Sequence, residues 1–361
     1  MDFSTNRHEQ PATAAPSTRH PDLSFPDGNI AVLTGSVYFL VHKGLLCRNS
    51  VPLQHAVANT LDRVNLEGRP ILRLQDSSHD MFHFLTALYD GLFSLKLDPT
   101  HFSVTAALLR LTTKYQVKHL RTSLLREMQR VHWPVRLAQW EVREAKATNT
   151  STGNYHARRY YPHPMYVACR RRKPESTHPH ARLVINLARE TNAPELLPSA
   201  FYDLSRNVAS ETTEGYTDAD NVVHQLSPDD LMNLLKGREH GSRFLSTFIV
   251  NELEGREPSA SCTHSQDEDV AQRRACQAAF ESITFEILRD VNGVSHRSSD
   301  PLFAIVDAEL MATRDDGRGA ILRACESCRG EFGAAVDQAR DEFWSKLPQW
   351  FGVDLEAGVW S

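Results

Sequence analysis

The stretch Asn29-Ile30-Ala31-Val32-Leu33-Thr34-Gly35-Ser36-Val37-Tyr38-Phe39-Leu40-Val41 decides how the first third of the chain folds. Asn29 to Thr34 reads as a strand, apolar at its centre. Gly35-Ser36 is a two-residue signal for a tight hairpin turn. Val37 to Val41 is the return strand, β-branched and aromatic. Downstream, His42-Lys43-Gly44-Leu45-Leu46-Cys47-Arg48 predicts a short helix, and Pro70-Ile71-Leu72-Arg73-Leu74 a third strand. Asp76-Ser77-Ser78 is a cap signal for the next helix. In that helix Met81, Phe82, Phe84, Leu85, Leu88 and Tyr89 share one wide apolar face, and Gly91 ends it. Val104, Ala107, Leu108, Leu111 and Tyr115 mark a second helix at the same period, and Val117, Leu120, Leu124 and Met128 a third. Short loops between them predict antiparallel packing. Upstream, residues 1–24 are rich in Pro, Thr, Ser, Ala and His. With so little to bury, they are expected to be a disordered tail.

Beyond this block the pattern changes. Residues 141–181 hold only Val142 and Val167 among Leu, Ile, Val and Phe, and are dense in Arg, His, Pro, Thr and Asn. An exposed, low-order insertion is expected there, because ordering a residue costs roughly 1–2 kcal/mol of backbone entropy. Its origin is either a functional basic loop or an intron retained in the coding sequence. Helical periodicity resumes at Leu183-Val184-Ile185-Asn186-Leu187. Ser227-Pro228-Asp229-Asp230 is a helix start: a Ser cap, Pro at the first position, and acids near the positive end of the helix dipole. Leu231, Leu234, Leu235, Phe244, Leu245, Phe248 and Ile249 continue that pattern. Gly255 to Asp269 is polar and reads as a loop. Cys276, Phe280, Ile283 and Ile287 lie on one helix face, Asp300-Pro301 opens another helix, and Phe332, Val336, Ala339 and Phe343 define the last long one. Trp344, Trp350 and Phe351 read as core or domain-seam aromatics.

The segment Asp27 to Met128 resembles a BTB/POZ domain. The resemblance rests on the hairpin Ile30–Leu33 and Val37–Val41, on His42-Lys43 followed by Leu45-Leu46, and on Ser50 ending that helix region. It rests also on Leu72 and Leu74 in the third strand and on the helix through Phe84-Leu85 and Leu88-Tyr89. Asn29 stands where many members have Asp, and Leu53 where many have Phe. The rest of the chain is similar to the C-terminal regions of the large BTB group of mushroom-forming fungi, through Val184 to Glu190, Leu197 to Ser205, the Cys325/Cys328 pair and Trp344-Ser345-Lys346-Leu347-Pro348. The expected fold class is therefore α+β: an N-terminal BTB/POZ fold, a small β-sheet covered by helices, followed by an all-helical C-terminal region. The expected division is a tail at 1–24, the BTB/POZ domain at 25–130, a helical region at 131–255 interrupted at 141–181, and a C-terminal helical region at 256–361 carrying Cys-x-x-Cys.

At roughly 100–200 residues per domain, a chain of 361 residues holds two or three domains. A net charge of −5 implies no strongly basic field for nucleic acid or an anionic membrane. No apolar run approaches the ~20 residues that span a bilayer. Met1-Asp2-Phe3-Ser4 has neither the basic nor the apolar region of a secretory signal, so an intracellular location, cytoplasm or nucleus, is expected. The cysteines, Cys47, Cys169, Cys262, Cys276, Cys325 and Cys328, are too sparse for a disulfide scaffold.

Motifs for nucleotide binding, metalloprotease and hydrolase chemistry are absent, and Gly317-Arg318-Gly319 lacks both a third Gly and a preceding strand. His42 opens a helix after a buried strand, with no nucleophile or acid at a useful spacing, so a structural role is expected. Cys325-Glu326-Ser327-Cys328 places two thiols on one helical face, able to bite a metal. Cys262 and Cys276 are the candidates to complete a tetrahedral set, with His264 as a substitute. The spacing between the pairs matches no standard zinc module, so ordinary reduced thiols are the expected state, zinc the alternative, and redox chemistry a distant third. Cys169-Arg170-Arg171-Arg172-Lys173-Pro174 reads as a solvated charge run rather than an import signal.

The resemblance implies a protein-interaction scaffold, not an enzyme, with self-association and a contact surface around His42, Leu45 and Leu46. One form is a substrate adaptor for a cullin-type ubiquitin ligase. The other is a nuclear regulator that dimerises through the BTB part, disfavoured because no zinc-finger or helix-turn-helix signature is found. No small-molecule substrate and no membrane are expected.

Overall fold

The computed structural model describes residues 17–59, 65–92, 95, 102–152, 180–207, 209–218, 221–291, 300–312 and 324–360. The chain forms two compact units, Met1–Leu125 and Arg126–Ser361.

In the first unit the quoted stretch is an antiparallel hairpin. Strand β2 (Ile30–Thr34) pairs with β3 (Val37–Val41) in the register Ile30↔Val41 to Thr34↔Val37. Gly35 turns the chain at a φ of 57°, a conformation that only Gly adopts without cost. Strand β1 (Thr18–Ser24), the two-residue β4 (Asn65–Leu66) and β5 (Arg69–Leu74) complete a five-stranded sheet in the order β1-β3-β2-β5-β4. β5 lies parallel to β2. Such pairing needs a crossover, which α1 (Lys43–Asn49) and α2 (Val51–Asn59) supply. Both sheet faces are buried. Ile30, Val32, Phe39, Val41 and Leu72 join the main core, and Ala31, Leu33, Tyr38, Leu40 and Ile71 form a second cluster. Burial on both faces is why the strands read as near-continuous apolar runs.

α3 (Ser78–Asp90), α4 (Phe102–Lys114) and α5 (Lys118–Val131) follow at the predicted places. Ser77 caps α3 by accepting from the Asp80 N–H. Ser50 ties the unit together: its hydroxyl donates to the Tyr115 carbonyl at 2.6 Å and accepts from the Leu53 N–H at 3.0 Å.

One expectation for this unit is corrected and one element is added. The tail expected over 1–24 does not include Thr18–Ser24, because β1 runs parallel to β3 with Thr18 opposite Val37. Leu23 is buried there, and the His20 ring stacks on Phe39 and Phe82 at 5.0 and 4.8 Å. An edge strand needs backbone pairing and a few anchoring side chains, which composition does not count. Residues 1–16 lie outside the described residues. The added element is α2: no helix was expected over Val51–Asn59, and one that buries Leu53 and Val57 forms there.

The second unit is mostly helical: α6 (Leu137–Thr152), α7 (Ala181–Glu190), α8 (Leu197–Ser205), α9 (Ala209–Glu214), α10 (Pro228–Phe248), α11 (Val270–Arg273), α12 (Ala275–Val291), α13 (Pro301–Ala312) and α14 (Glu326–Trp350). It is not all-helical. Tyr216–Thr217 and Val223–His224 form a small antiparallel pair. Nor does the chain divide near residue 255. Leu245 and Phe248 of α10, Phe280 of α12, Ile305 of α13 and Phe332 of α14 share one core.

The insertion expected at 141–181 is corrected at its start, since α6 runs to Thr152. Here apolarity and burial are inverted: Val142 is 53% exposed and Arg143 only 5%. The Arg143 guanidinium lies over the Trp133 and Trp140 rings at 4.9 and 4.4 Å, and pairs with Glu144 and Asp203. Arg206 pairs with Glu144, Asp203 and Asp300, and the Tyr202 hydroxyl donates to Asp300 at 2.6 Å. A count of Leu, Ile, Val and Phe overlooks a helix buried through an Arg. Residues 153–179, with the basic run, lie outside the described residues.

Candidate metal centre

Cys262, Cys276, Cys325 and Cys328 converge. Their sulfurs all lie within 4.8 Å of one another. Each comes from a backbone position that the local sequence builds. Cys262 sits in the polar loop, in tight turns: its N–H donates to the Ser259 carbonyl at 2.9 Å, and its carbonyl accepts from the Ser265 N–H at 3.1 Å. Cys276 is the second residue of α12. Cys325 is the N-cap of α14, and Cys328 lies in its first turn. Two helix N-termini thus point their positive ends at the cluster, which favours thiolates.

Two of the six distances match the edge of a tetrahedron around a single ion, and the rest lie within 4.8 Å. Cys262 Sγ lies 3.7 Å from Cys276 Sγ and 3.8 Å from Cys325 Sγ. A regular tetrahedron with ~2.3 Å metal–sulfur bonds has edges of about 3.8 Å. A disulfide would hold its sulfurs at ~2.05 Å, and all four thiols are free. The spacing leaves room for one ion and none for a multi-iron cluster.

Backbone amides support the sulfurs. The Ser259 N–H donates to Cys328 Sγ at 3.3 Å, and the Cys325 N–H to Cys276 Sγ at 3.2 Å. Burial pushes the Cys325 thiol up, but hydrogen bonds from the backbone at Cys328 and Thr263 outweigh it and bring the thiol down to about 6. Burial holds Cys276 up at about 11 and also raises Cys328. Without a cation, Cys276 and Cys328 therefore keep their protons at neutral pH; a bound metal displaces them. Cys262, Cys276 and Cys328 are sealed in the core around Phe280 and Phe332, and Cys325 is half-buried. A closed set of four protein ligands is a structural arrangement, with no open position for substrate.

His264 is not in the set; its ring bonds Asp267 at 2.8 Å. His42 precedes α1, with Nε2 3.2 Å from Asp27 and Nδ1 2.8 Å from the Tyr89 hydroxyl. That hydroxyl also accepts the His42 N–H at 2.9 Å, so His42 locks the entry to α1. Leu46, expected on a contact surface, is 1% exposed and belongs to the core; Leu45 is half-buried. Adjacent helical residues face different ways, so both cannot serve a surface. Trp344 and Phe351 are core residues as expected, and Trp350 is half-buried. The cavity beside Gly237 and Phe351 has a volume of about 10 Å³, room for a water rather than a substrate.

Sequence reasoning named the four cysteines but missed the Arg143–Arg206 network. Its members are far apart in sequence and carry no spacing signal. No protein-family model matches the chain, and no curated protein matches it.

Proposed function

We propose that this chain is a protein-interaction adaptor, with a BTB-type module as its first unit and, as its second, a helical body pinned by one structural zinc ion on Cys262, Cys276, Cys325 and Cys328. The adaptor reading is carried by one observation: the order hairpin, two short helices, parallel strand and helix trio occurs together with the His42-Lys43 signature. Asn29 supports it as well. Its side-chain oxygen accepts the Lys43 N–H at 2.7 Å, the bond an Asp there would make to the start of α1. The cullin-type scaffold is the partner class this module implies, and self-association the second contact. Both are tested by mixing purified full chain with a cullin N-terminal domain and measuring masses by light scattering. A mixed complex supports the reading; a chain that stays monomeric, alone and in the mixture, sinks it.

Zinc is chosen over other ions because four converging thiolates suit it and because a d¹⁰ ion brings no redox chemistry of its own to a closed site. It would supply crosslinking of the polar loop to α12 and α14. Elemental analysis of purified chain should find about one zinc per chain. Cobalt exchanged into the site should give the visible absorption of tetrahedral thiolate coordination.

A further inference from the structure

Resting on that zinc reading, we propose that the four-cysteine site is a peroxide-sensitive switch, in which Cys325 is oxidised, joins Cys262 in a disulfide and so expels the ion. Access selects the first sulfur. Cys262, Cys276 and Cys328 are 4%, 0% and 2% exposed, whereas Cys325, at the N-cap of α14, is half-buried. A small oxidant meets Cys325 first.

Mobility selects the second. Cys262 Sγ lies 3.8 Å from Cys325 Sγ, with the two residues 63 positions apart. Closing that gap to ~2.05 Å requires one partner to move. Cys276 and Cys328 sit in the first turns of α12 and α14, fixed by helical hydrogen bonds. Cys262 lies outside any helix, held by the turn bonds to Ser259 and Ser265 alone, and so has the fewest backbone bonds to give up.

The chemistry balances with a peroxide as the only oxidant. The Cys325 thiolate attacks one peroxide oxygen, and the O–O bond breaks. Hydroxide leaves and takes a proton to become water, and Cys325 is a sulfenic acid. The Cys262 thiolate attacks that sulfur, the S–O bond breaks, and a second hydroxide leaves as water after protonation. The two sulfurs lose two electrons and the two peroxide oxygens gain them. The ion then keeps only Cys276 and Cys328, half of a tetrahedral set, and dissociates. A thiol reductant reverses the disulfide, and zinc can rebind.

The test uses the full chain, purified under reducing conditions and then freed of reductant. Hydrogen peroxide is added with a chromogenic zinc chelator present. The expected result is release of about one zinc per chain, a Cys262–Cys325 disulfide as the first crosslink in peptide mass mapping, and rebinding after reduction. Cys47→Ser, outside the cluster, should leave release unchanged. Zinc retained under excess peroxide, or a first disulfide between another pair, overturns the switch while leaving the zinc reading intact. A purified chain with reduced thiols and no metal overturns both.

Discussion

Among the described residues the first unit buries Phe39, Phe84, Leu108 and Leu124, and its buried polar residues, Thr34, Ser50, Thr105 and Thr112, are neutral hydroxyls. The second buries Phe201, Phe280 and Phe332, but also Arg143, Arg182, Asp230, Asp300 and Asp307, and the cysteine cluster. Apolar burial is non-directional, so a core of the first kind tolerates local imperfection. A buried charge or thiolate is stable only with its partners in place. The second unit therefore depends on a few named groups far more than the first does.

The largest effect should come from the metal. Chelation of the proposed zinc, or Cys276→Ser with Cys328→Ser, should remove a contribution on the order of 10 kcal/mol by analogy with structural zinc in small domains. Hydrogen exchange should show α12 and α14 losing protection while β2, β3 and α3 keep theirs. Equal loss in both units would break the comparison.

Next come two substitutions of similar size. Arg206→Met leaves Glu144, Asp203 and Asp300 without that cation and should cost about 3–5 kcal/mol. Phe84→Ala, from a fully buried position, should also cost about 3–5 kcal/mol. They separate by pH. Burial raises the Asp203 carboxyl, but Arg143 and Arg206 prevail and hold it well below its ordinary 3.8. A depressed carboxylate stabilises the fold above its unfolded value and stops doing so as pH falls through the folded one. Denaturant titrations below pH 4 should thus find a smaller penalty for Arg206→Met and an unchanged one for Phe84→Ala.

His132 sharpens the same contrast. Burial, then the Arg143 charge, lowers it from 6.5 to about 4. Between those values the unfolded chain takes up a proton that the folded one refuses, so the second unit should lose stability as pH falls from 6.5 toward 4, by about 3 kcal/mol at most. His132→Gln should flatten that slope in urea melts; an unaltered slope would assign it to other groups.

The smallest effect is matched across the units. Ser77 caps α3 and Ser227 caps α10, each by accepting an N–H three residues on. Ser77→Ala and Ser227→Ala should each cost about 1 kcal/mol in thermal melts, since a cap is a local device indifferent to the core beneath it.

The hairpin, β5 and helices α3 to α5 were legible because each carries its own period and its own stop, such as Gly35 or Gly91. β1 and the start of α6 were not. β1 is held by pairing with β3, and α6 by Arg143 against Trp133, Trp140 and Asp203, all contacts that lie elsewhere in the chain. The thiols at 325 and 328 were visible as a pair because they share one helical turn. Cys262 lies 14 positions before Cys276, and Cys276 lies 49 before Cys325.

By itself, then, the sequence determined the α+β order of elements, the caps and the four candidate sulfurs, since these follow from local periodicity and residue chemistry. Only the tertiary structure decided that the four sulfurs converge within 4.8 Å, that Arg143 goes inside while Val142 stays out, and that residues 18–24 join the sheet. Each depends on which distant partner is present, and that is fixed by packing rather than by any local pattern.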